Sequence, residues 1–363
     1  MLDSQTIEAL RPLGLTASVL AHIRQHLTPR NTAGDALLGR AIEVQRDRVA
    51  IATAAGPRSA RLLPSLLQQL RDDELALAVG DWLLAAADPS GQTWVHARVP
   101  PLNQLSRRDP EGQRQPLVSN VDLALLVMGL DHDFKLARLD RYLVLTHAAG
   151  VPALVVLTKA DQCADPGAAL ERVRSHLGRI DAVLDIVAVD GTRDAARAAL
   201  APWLAAGQTL VLLGSSGAGK STLTNTLCEA QLQGTGGVRL DDSRGRHTTT
   251  ARSLHRARDG ACIIDTPGLR GLQLDATAAE LDEAFEDVTR LAAACRFRNC
   301  SHAGEPGCAV QAALNPARLK SWQKLQREAA RESMSWEQRR ERLAQWKAMG
   351  RAVAVTMRHK RGE

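Results

Sequence analysis

Apolar and polar positions change texture three times along the chain. Ile7–Leu10 and Ala17–Leu27 carry helical spacing, and Pro29 stops the pattern. From Gly39 to Thr53 apolar and polar residues alternate, as in a half-buried strand. Arg58–Leu63, Leu75–Ala86 and Gln92–Val99 continue as short segments split by Gly, Pro and Asp. Strands at this spacing predict a small β-barrel, of the oligonucleotide-binding or the SH3-like kind. The polar stretch Ser106–Gln115 reads as a linker or mobile loop.

From Asn120 the pattern becomes α/β. Val121–Met128 is a continuous apolar run of the parallel-sheet type. Leu136–Ala149 predicts a helix and Ala153–Leu157 a strand. Ala168–Leu177 predicts a helix, Ala182–Val189 a strand and Asp194–Leu204 a helix ending near Gly207. Thr209–Leu213 and Cys262–Ile264 are further buried strands, and Gly234–Thr250 between them is glycine-rich, polar and expected to be mobile when empty. Alternation of this kind predicts a mostly parallel sheet covered on both faces.

Composition narrows the class. The 363 residues suffice for two or three domains. No apolar run approaches the roughly 18 residues of a membrane span, and the first residues lack the basic and apolar regions of a signal peptide. The six cysteines form no disulfide framework, and three cluster between 295 and 308. That pattern predicts metal binding in a reducing cytoplasm. The net charge of +6 is uneven: from Ala317 onward 13 Lys/Arg oppose 5 Glu, a net +8, so the remainder carries −2. A polyanionic partner contacted by one end of the molecule fits this asymmetry; a solvated helical face is the plainer alternative.

The candidate chemistry centres on Gly214, Ser215, Ser216, Gly217, Ala218, Gly219, Lys220 and Ser221, which fit G-x-x-x-x-G-K-S between a strand and a helix opening at Thr222. Glycines let consecutive N–H groups turn toward a polyphosphate, and the helix N-terminus adds positive potential. Lys220 would reach the β- and γ-phosphates and Ser221 would ligate Mg²⁺. Asp265-Thr266-Pro267-Gly268 has the D-x-x-G form at a strand end: Asp265 would hold Mg²⁺ and the Gly268 N–H the γ-phosphate. Thr158-Lys159-Ala160-Asp161 fits [N/T]-K-x-D. A carboxylate only accepts hydrogen bonds, guanine offers it two donors and adenine none, so Asp161 points to GTP. The Lys159 stem would pack on the base. His247-Thr248-Thr249-Thr250 is where a switch threonine would ligate Mg²⁺; Thr249 is the candidate, with the neighbouring threonines open. Leu269 stands where Ras-like enzymes carry a water-orienting Gln, so intrinsic hydrolysis is expected to be slow. His247 is the nearest candidate to position water, and a packing or RNA-binding role is its alternative.

Cys295, Cys300, His302 and Cys308 supply three thiolates and one imidazole, the donor set of a closed structural Zn²⁺ site. Cys163, Cys228 and Cys262 are expected in or near the core. Ala317–Met349 predicts a long basic helix, interrupted near Ser333, in which Trp322, Trp336 and Trp346 interleave with cations; RNA contact and packing on the zinc module both fit, with packing favoured for at least one Trp.

The base motif precedes the phosphate loop, the reverse of ordinary small GTPases, so the GTPase core is circularly permuted. In this order D-x-x-G leads straight into the C-terminal part. The chain resembles the RsgA/YjeQ family, circularly permuted GTPases of small-ribosomal-subunit assembly, from about Gly39 to Lys324. Besides the motifs above, Gly80-Asp81-Trp82, Ser119-Asn120-Val121-Asp122, Leu139-Asp140-Arg141-Tyr142-Leu143 and Gly245–Thr249 carry the resemblance. It departs at Val187-Ala188, where Ser-Ala is usual near the guanine O6, and at Asn299, where Asp is expected.

A multidomain α/β protein is expected: the residues predict a helical extension (1–38), and the resemblance implies an oligonucleotide-binding (OB-type) barrel with linker (39–112), a circularly permuted P-loop GTPase domain (113–274) and a helical zinc-binding domain (275–363) that ends in the basic tail. It implies a cytoplasmic monomer using GTP, Mg²⁺ and one structural Zn²⁺. Its partners would be the 30S subunit and 16S rRNA, and no membrane. The ribosome would accelerate hydrolysis, by about 10³–10⁵ if it supplies a missing catalytic group. The rivals are a P-loop ATPase or kinase, opposed by Asp161, and an RNA-binding scaffold that uses GTP only as a structural or affinity switch.

Overall fold

The computed structural model describes residues 2–26, 36–45, 48–109, 112–178, 183–228, 252–266 and 273–332. His247, Thr249, Gly268, Leu269, Trp336 and Trp346 lie outside the described residues, as do Gly234–Thr250 and the basic end.

Five strands form the barrel: β1 (Leu37–Val44), β2 (Arg48–Thr53), β3 (Gly56–Leu62), β4 (Trp82–Ala87) and β5 (Thr93–Arg98). They run in the order β1-β2-β3-β5-β4, and β1 pairs back to β4 to close the wall. β3 and β5 are parallel, the mark of an oligonucleotide-binding barrel. The alternating run Gly39–Thr53 is therefore not one strand. It contains two antiparallel strands: β2 keeps period 2, whereas β1 is buried at four consecutive positions, Leu38–Ala41, and shifts register between Ala41 and Glu43. Leu75–Ala86 is a strand only from Trp82. A helix the sequence pattern did not reveal, Pro64–Asp72, buries Leu66 and Leu70 against the barrel core.

The N-terminal helices Ser4–Leu10 and Ala17–His26 bury Leu10, Val19 and Ile23 against Leu38, Trp82 and Leu84. Asp3 caps the first of them, accepting from the Thr6 N–H at 2.7 Å. Arg40, almost fully buried, joins three units. Its guanidinium donates to the carbonyls of Leu13, Gly80 and Asn120 and to the Thr209 hydroxyl.

Ser106–Gln115 is a hairpin, not a linker. β6 (Gln104–Arg108) and β7 (Arg114–Ser119) pair antiparallel, and Asp109 closes the turn by accepting the Gln113 N–H. The polar residues face one another across the strands, as Arg107 on Gln115 does at 2.8 Å.

The central sheet contains β8 (Leu123–Gly129), β9 (Ala153–Thr158), β10 (Val183–Ala188), β11 (Thr209–Leu213), β12 (Ser253–Arg256) and β13 (Cys262–Asp265). Their spatial order is β10-β9-β8-β11-β13-β12, all parallel except β12. The chain makes β8, β9 and β10 before the phosphate-loop strand β11, and this is the permutation. β12, not anticipated from the sequence, also pairs with β1, so barrel and sheet are continuous through Glu43 and Ser253. A short β14 (Gln273–Leu274) pairs with β6.

Side chains alternate between faces along β11. Leu210 and Leu212 enter one core with Leu123 and Ile263, while Val211 and Leu213 enter the other with Leu126 and Ile264. Helices 136–148 and 166–177 cover the second face. C-terminal helices Ala278–Ala284, Glu286–Ala292 and Pro316–Glu332 join that core through Leu281, Phe285, Val288 and Leu319. Asp194–Leu200 is helical, shorter than expected, because Pro202 turns the chain into a single 3-10 turn. Cys228 and Cys262 are buried and Cys163 half-buried.

Candidate active site and metal centre

All strands that carry nucleotide motifs end on one edge of the sheet, where ligands bind in open α/β folds. β11 turns into Gly214–Gly219 and then the helix Lys220–Leu227. Only glycine fits the first turn: a Cβ on Gly214 would lie 2.4 Å from the Val127 carbonyl. Gly219 has φ +88°, against Thr158. Ala218 is buried and Ser221 and Thr222 lie exposed in the first helical turn. Lys220 is buried and donates to the carbonyls of Gly214 (3.0 Å) and Ser215 (2.8 Å). Burial lowers its pKa, while Asp265 and Asp133 hold its charge.

The base motif is joined to this loop. The Thr158 hydroxyl donates to the Ala218 carbonyl at 2.6 Å, and the Lys159 amine donates to the Gly217 carbonyl at 2.7 Å. Lys159 adopts a left-handed φ of 58°, a conformation non-glycine residues hold only where surroundings enforce it. Asp131 supplies part of that, accepting from the Lys159 amine at 2.6 Å. Asp161 is exposed in the turn that follows. The departing segment Val187-Ala188-Val189 comes alongside: Val189 N–H donates to Leu157 O at 2.8 Å, and Ala160 N–H to Val189 O at 3.2 Å.

Asp265 ends β13 next to the phosphate loop. One oxygen accepts from the Ser221 hydroxyl at 3.2 Å; the other, Oδ1, is buried without a hydrogen-bond partner among the described residues. An orphaned carboxylate oxygen beside a phosphate-loop serine fits a hydrated Mg²⁺, which would neutralise charge on the phosphates. Burial pushes the Asp265 pKa up, outweighing Lys220, Ser221 and His255. The raised value means that the ionised carboxylate opposes folding of the nucleotide-free protein. The favourable contribution of its neutral form is full below the ordinary carboxylate range and is lost as pH rises through the raised value. Asp265→Asn is therefore expected to stabilise the nucleotide-free protein at pH 8, by about 1 kcal/mol, while depressing GTP hydrolysis. Thermal melts across pH check this. The gain should vanish at acidic pH, and a destabilised variant at pH 8 would refute it.

Asp133 and Arg138 were missed in the sequence. Both contact Ser215, yet they lie some eighty residues earlier, between β8 and the first turn of helix 136–148. No local spacing marks them.

The second cluster lies in the C-terminal helical part. The ligand atoms of Cys295, Cys300, His302 and Cys308 all lie within 4.8 Å of one another. His302 Nδ1 is 3.4 Å from Cys308 Sγ and 3.7 Å from Cys295 Sγ, and the Cys295 and Cys308 sulfurs are 3.9 Å apart. Tetrahedral Zn²⁺ with ordinary bond lengths requires edges of roughly 3.5–3.8 Å, so the donor set fits. His302 has a left-handed φ of 56°. Its carbonyl accepts from Gln311 (3.1 Å) and Gln323 (2.9 Å), and its ring tilts against half-buried Trp322 at 5.7 Å. Of the three tail tryptophans, Trp322 thus packs on this module.

Fold and site define a circularly permuted P-loop GTPase. A sequence profile of the RsgA GTPase family matches residues 99–275. "Small ribosomal subunit biogenesis GTPase RsgA" of Xylella fastidiosa strain 9a5c is 45% identical over 297 residues, covering 80% of this chain and 84% of that one. A relative of the same name from Mesorhizobium japonicum is 42% identical, covering 78% and 80%. "Small ribosomal subunit biogenesis GTPase RsgA 2" of Lactiplantibacillus plantarum is 37% identical, covering 89% and 90%. The chain belongs to the RsgA GTPase family.

Among solved structures, YjeQ from Thermotoga maritima has the same fold, with TM-score 0.58 at 23% identity over 81% of this chain and 99% of that one. YloQ, described as a circularly permuted GTPase, aligns with TM-score 0.55 at 22% identity over 84% and 99%. An ABC transporter profile also matches residues 201–354, a stretch holding the Gly214–Ser221 loop that P-loop proteins share. Among the described residues no helix is long and apolar enough to cross a membrane.

Proposed function

We propose that this GTPase binds the small (30S) ribosomal subunit, assists its late assembly, and hydrolyses GTP faster when bound there. The relatives' names support the ribosomal role. The observation that carries the nucleotide reading is the contact of Lys159 and Thr158 with the phosphate loop, which joins a guanine motif to a polyphosphate motif.

In this reading Thr158, Lys159 and Asp161 hold guanine. Gly214–Thr222 and Gly268 hold the phosphates, with Lys220 on the β- and γ-phosphates. Ser221, Thr249 and Asp265 hold Mg²⁺, and His247 positions the attacking water. Cys295, Cys300, His302 and Cys308 hold one structural Zn²⁺. The division at residues 38, 112 and 274 separates the extension, barrel, GTPase and zinc-binding units. The protein works as a cytoplasmic monomer. Its contact to 16S rRNA is supported by the barrel type and by the basic end. The metal knuckle adds exposed Phe297, flanked by exposed Arg296 and Arg298, with the Arg296 guanidinium 5.5 Å from the ring.

The test is GTP turnover with and without purified 30S particles, with ATP and Lys220→Ala as controls. Stimulation of more than about tenfold, absent with ATP and lost in the variant, is the expected result. A basal rate that 30S leaves unchanged would overturn the ribosomal assignment while leaving GTP hydrolysis intact.

A further inference from the structure

We infer that Asp133 and Arg138 form a charge-compensated clamp that positions the phosphate loop through the Ser215 hydroxyl. The inference rests on the reading that Gly214–Ser221 binds GTP.

Ser215 is the first residue after the glycine that ends β11. Its hydroxyl donates to Asp133 Oδ2 at 2.5 Å and accepts from Arg138 Nη1 at 2.7 Å. The same Nη1 pairs with Asp133 Oδ1, closing a three-membered ring of side chains. Asp133 is 7% exposed, and its N–H donates to Asp131 Oδ1 at 2.9 Å. Asp131 in turn holds the Lys159 amine. One short segment, Asp131–Asp133, therefore braces both the guanine motif and the phosphate loop. Ser215 also offers its carbonyl to Lys220 at 2.8 Å, so a shift of this residue moves the phosphate-binding lysine.

The arrangement creates an electrostatic problem. Asp133 places a buried carboxylate close enough to hold the charge of Lys220. A polyphosphate brings several negative charges to the same place, and a neighbouring like charge inside a protein opposes it strongly. Arg138, on the first turn of helix 136–148, cancels that charge at contact distance. Asp133 can then serve as an acceptor that aims the Ser215 hydroxyl without repelling the substrate. These two are positioning residues: they act on the nucleotide through Ser215 and through local charge.

The experiment titrates fluorescent GTP and GDP analogues into the full chain and its variants at low and high salt, with thermal melts in parallel. Arg138→Gln leaves the carboxylate uncompensated and is expected to weaken GTP binding about tenfold, and GDP less because it carries less charge. The loss should shrink at high salt. Asp133→Asn combined with Arg138→Gln removes both charges and should recover affinity to within about threefold, as should Arg138→Lys, which keeps the charge. A purely structural role would make the double variant the worst of the set. Unchanged GTP affinity in Arg138→Gln, or a double variant no better than the single, overturns the clamp. Should Arg138→Gln fail to fold, Arg138→Lys still decides: a loss as large as that of Lys220→Ala refutes charge compensation. If the unaltered protein binds neither nucleotide, the GTP reading itself falls.

Discussion

Stripping metal from the Cys295–Cys308 knuckle is expected to release one Zn²⁺ per chain and to unfold the segment around it, leaving the parallel sheet folded. Residues 293–308 contain no helix or strand; apart from the four Cys/His side chains they are held by isolated bonds, such as Glu305 on the Ser301 and Ala303 N–H groups and Gln311 and Gln323 on the His302 carbonyl. Structural zinc contributes about 10–16 kcal/mol of apparent binding energy to small modules near neutral pH. That is comparable to the stability of a whole domain, about 5–15 kcal/mol. Removing it should abolish hydrogen-exchange protection from 295 to about 313, including the short helix Ala309–Ala313 that Cys308 caps. β8 and β11, buried along their length, should keep theirs. Metal analysis and exchange on the same chelated sample would check both parts. Protection unchanged after chelation, or no zinc released, would show that the four side chains hold no structural metal.

The second large effect is expected at Arg318. Its guanidinium donates to Asp287 through Nε (2.6 Å) and Nη2 (3.0 Å) and to Asp140 through Nη1 (2.7 Å), over the Phe285 ring. His176 Nε2 reaches the same Asp140 carboxylate at 2.9 Å. All four polar side chains are buried. Arg318→Ala would strand the Asp287 carboxylate in a low-dielectric interior and leave Asp140 with His176 alone, at a cost of about 3–5 kcal/mol. Denaturant melts should register that loss, and exchange should show it concentrated in the helices 278–292 and 316–332. Arg318→Met with Asp140→Asn and Asp287→Asn should be milder, because no charge is left unpaired. A loss below 1 kcal/mol in Arg318→Ala would mean that water or relaxation reaches this network.

Asp140 sits two residues after Arg138 on one helix, and Arg141 pairs with Glu328 at 2.6 Å. The helix that braces the phosphate loop at its start thus carries the C-terminal part on its next turn. The sequence order pointed to D-x-x-G as the link between nucleotide and C-terminal part. Pro267 and Gly268 lie outside the described residues; among those described, helix 136–148 is directly bonded to both the Gly214–Ser221 loop and the C-terminal part.

The contrast between what was and was not legible follows sequence distance. Gly214–Ser221 could be read directly, because the strand end, the glycine turn and the helix start that the motif needs are consecutive in the chain. Thr158–Asp161 was readable because it follows a run of apolar residues that could only be a buried strand. The four Cys/His side chains that could hold a metal fall within fourteen residues. In each case the chemistry is nearly local, so composition and spacing carry it. The polar hairpin at Ser106–Gln115 misled for the same reason: its order comes from cross-strand partners, which spacing within one strand does not encode.

The sequence by itself determined the nucleotide class, the permuted order of the core and the cluster of three cysteines and one histidine that could hold a metal. The tertiary structure alone decided how these parts are joined. Arg40 meets Thr209 across 169 residues and Arg318 meets Asp140 across 178, and Ser215 finds Asp133 from another strand–helix connection. A buried charge takes whatever partner the packing brings within reach. That pairing is set by the folded surfaces, since an isolated Arg or Asp in the chain reads as one more exposed ion.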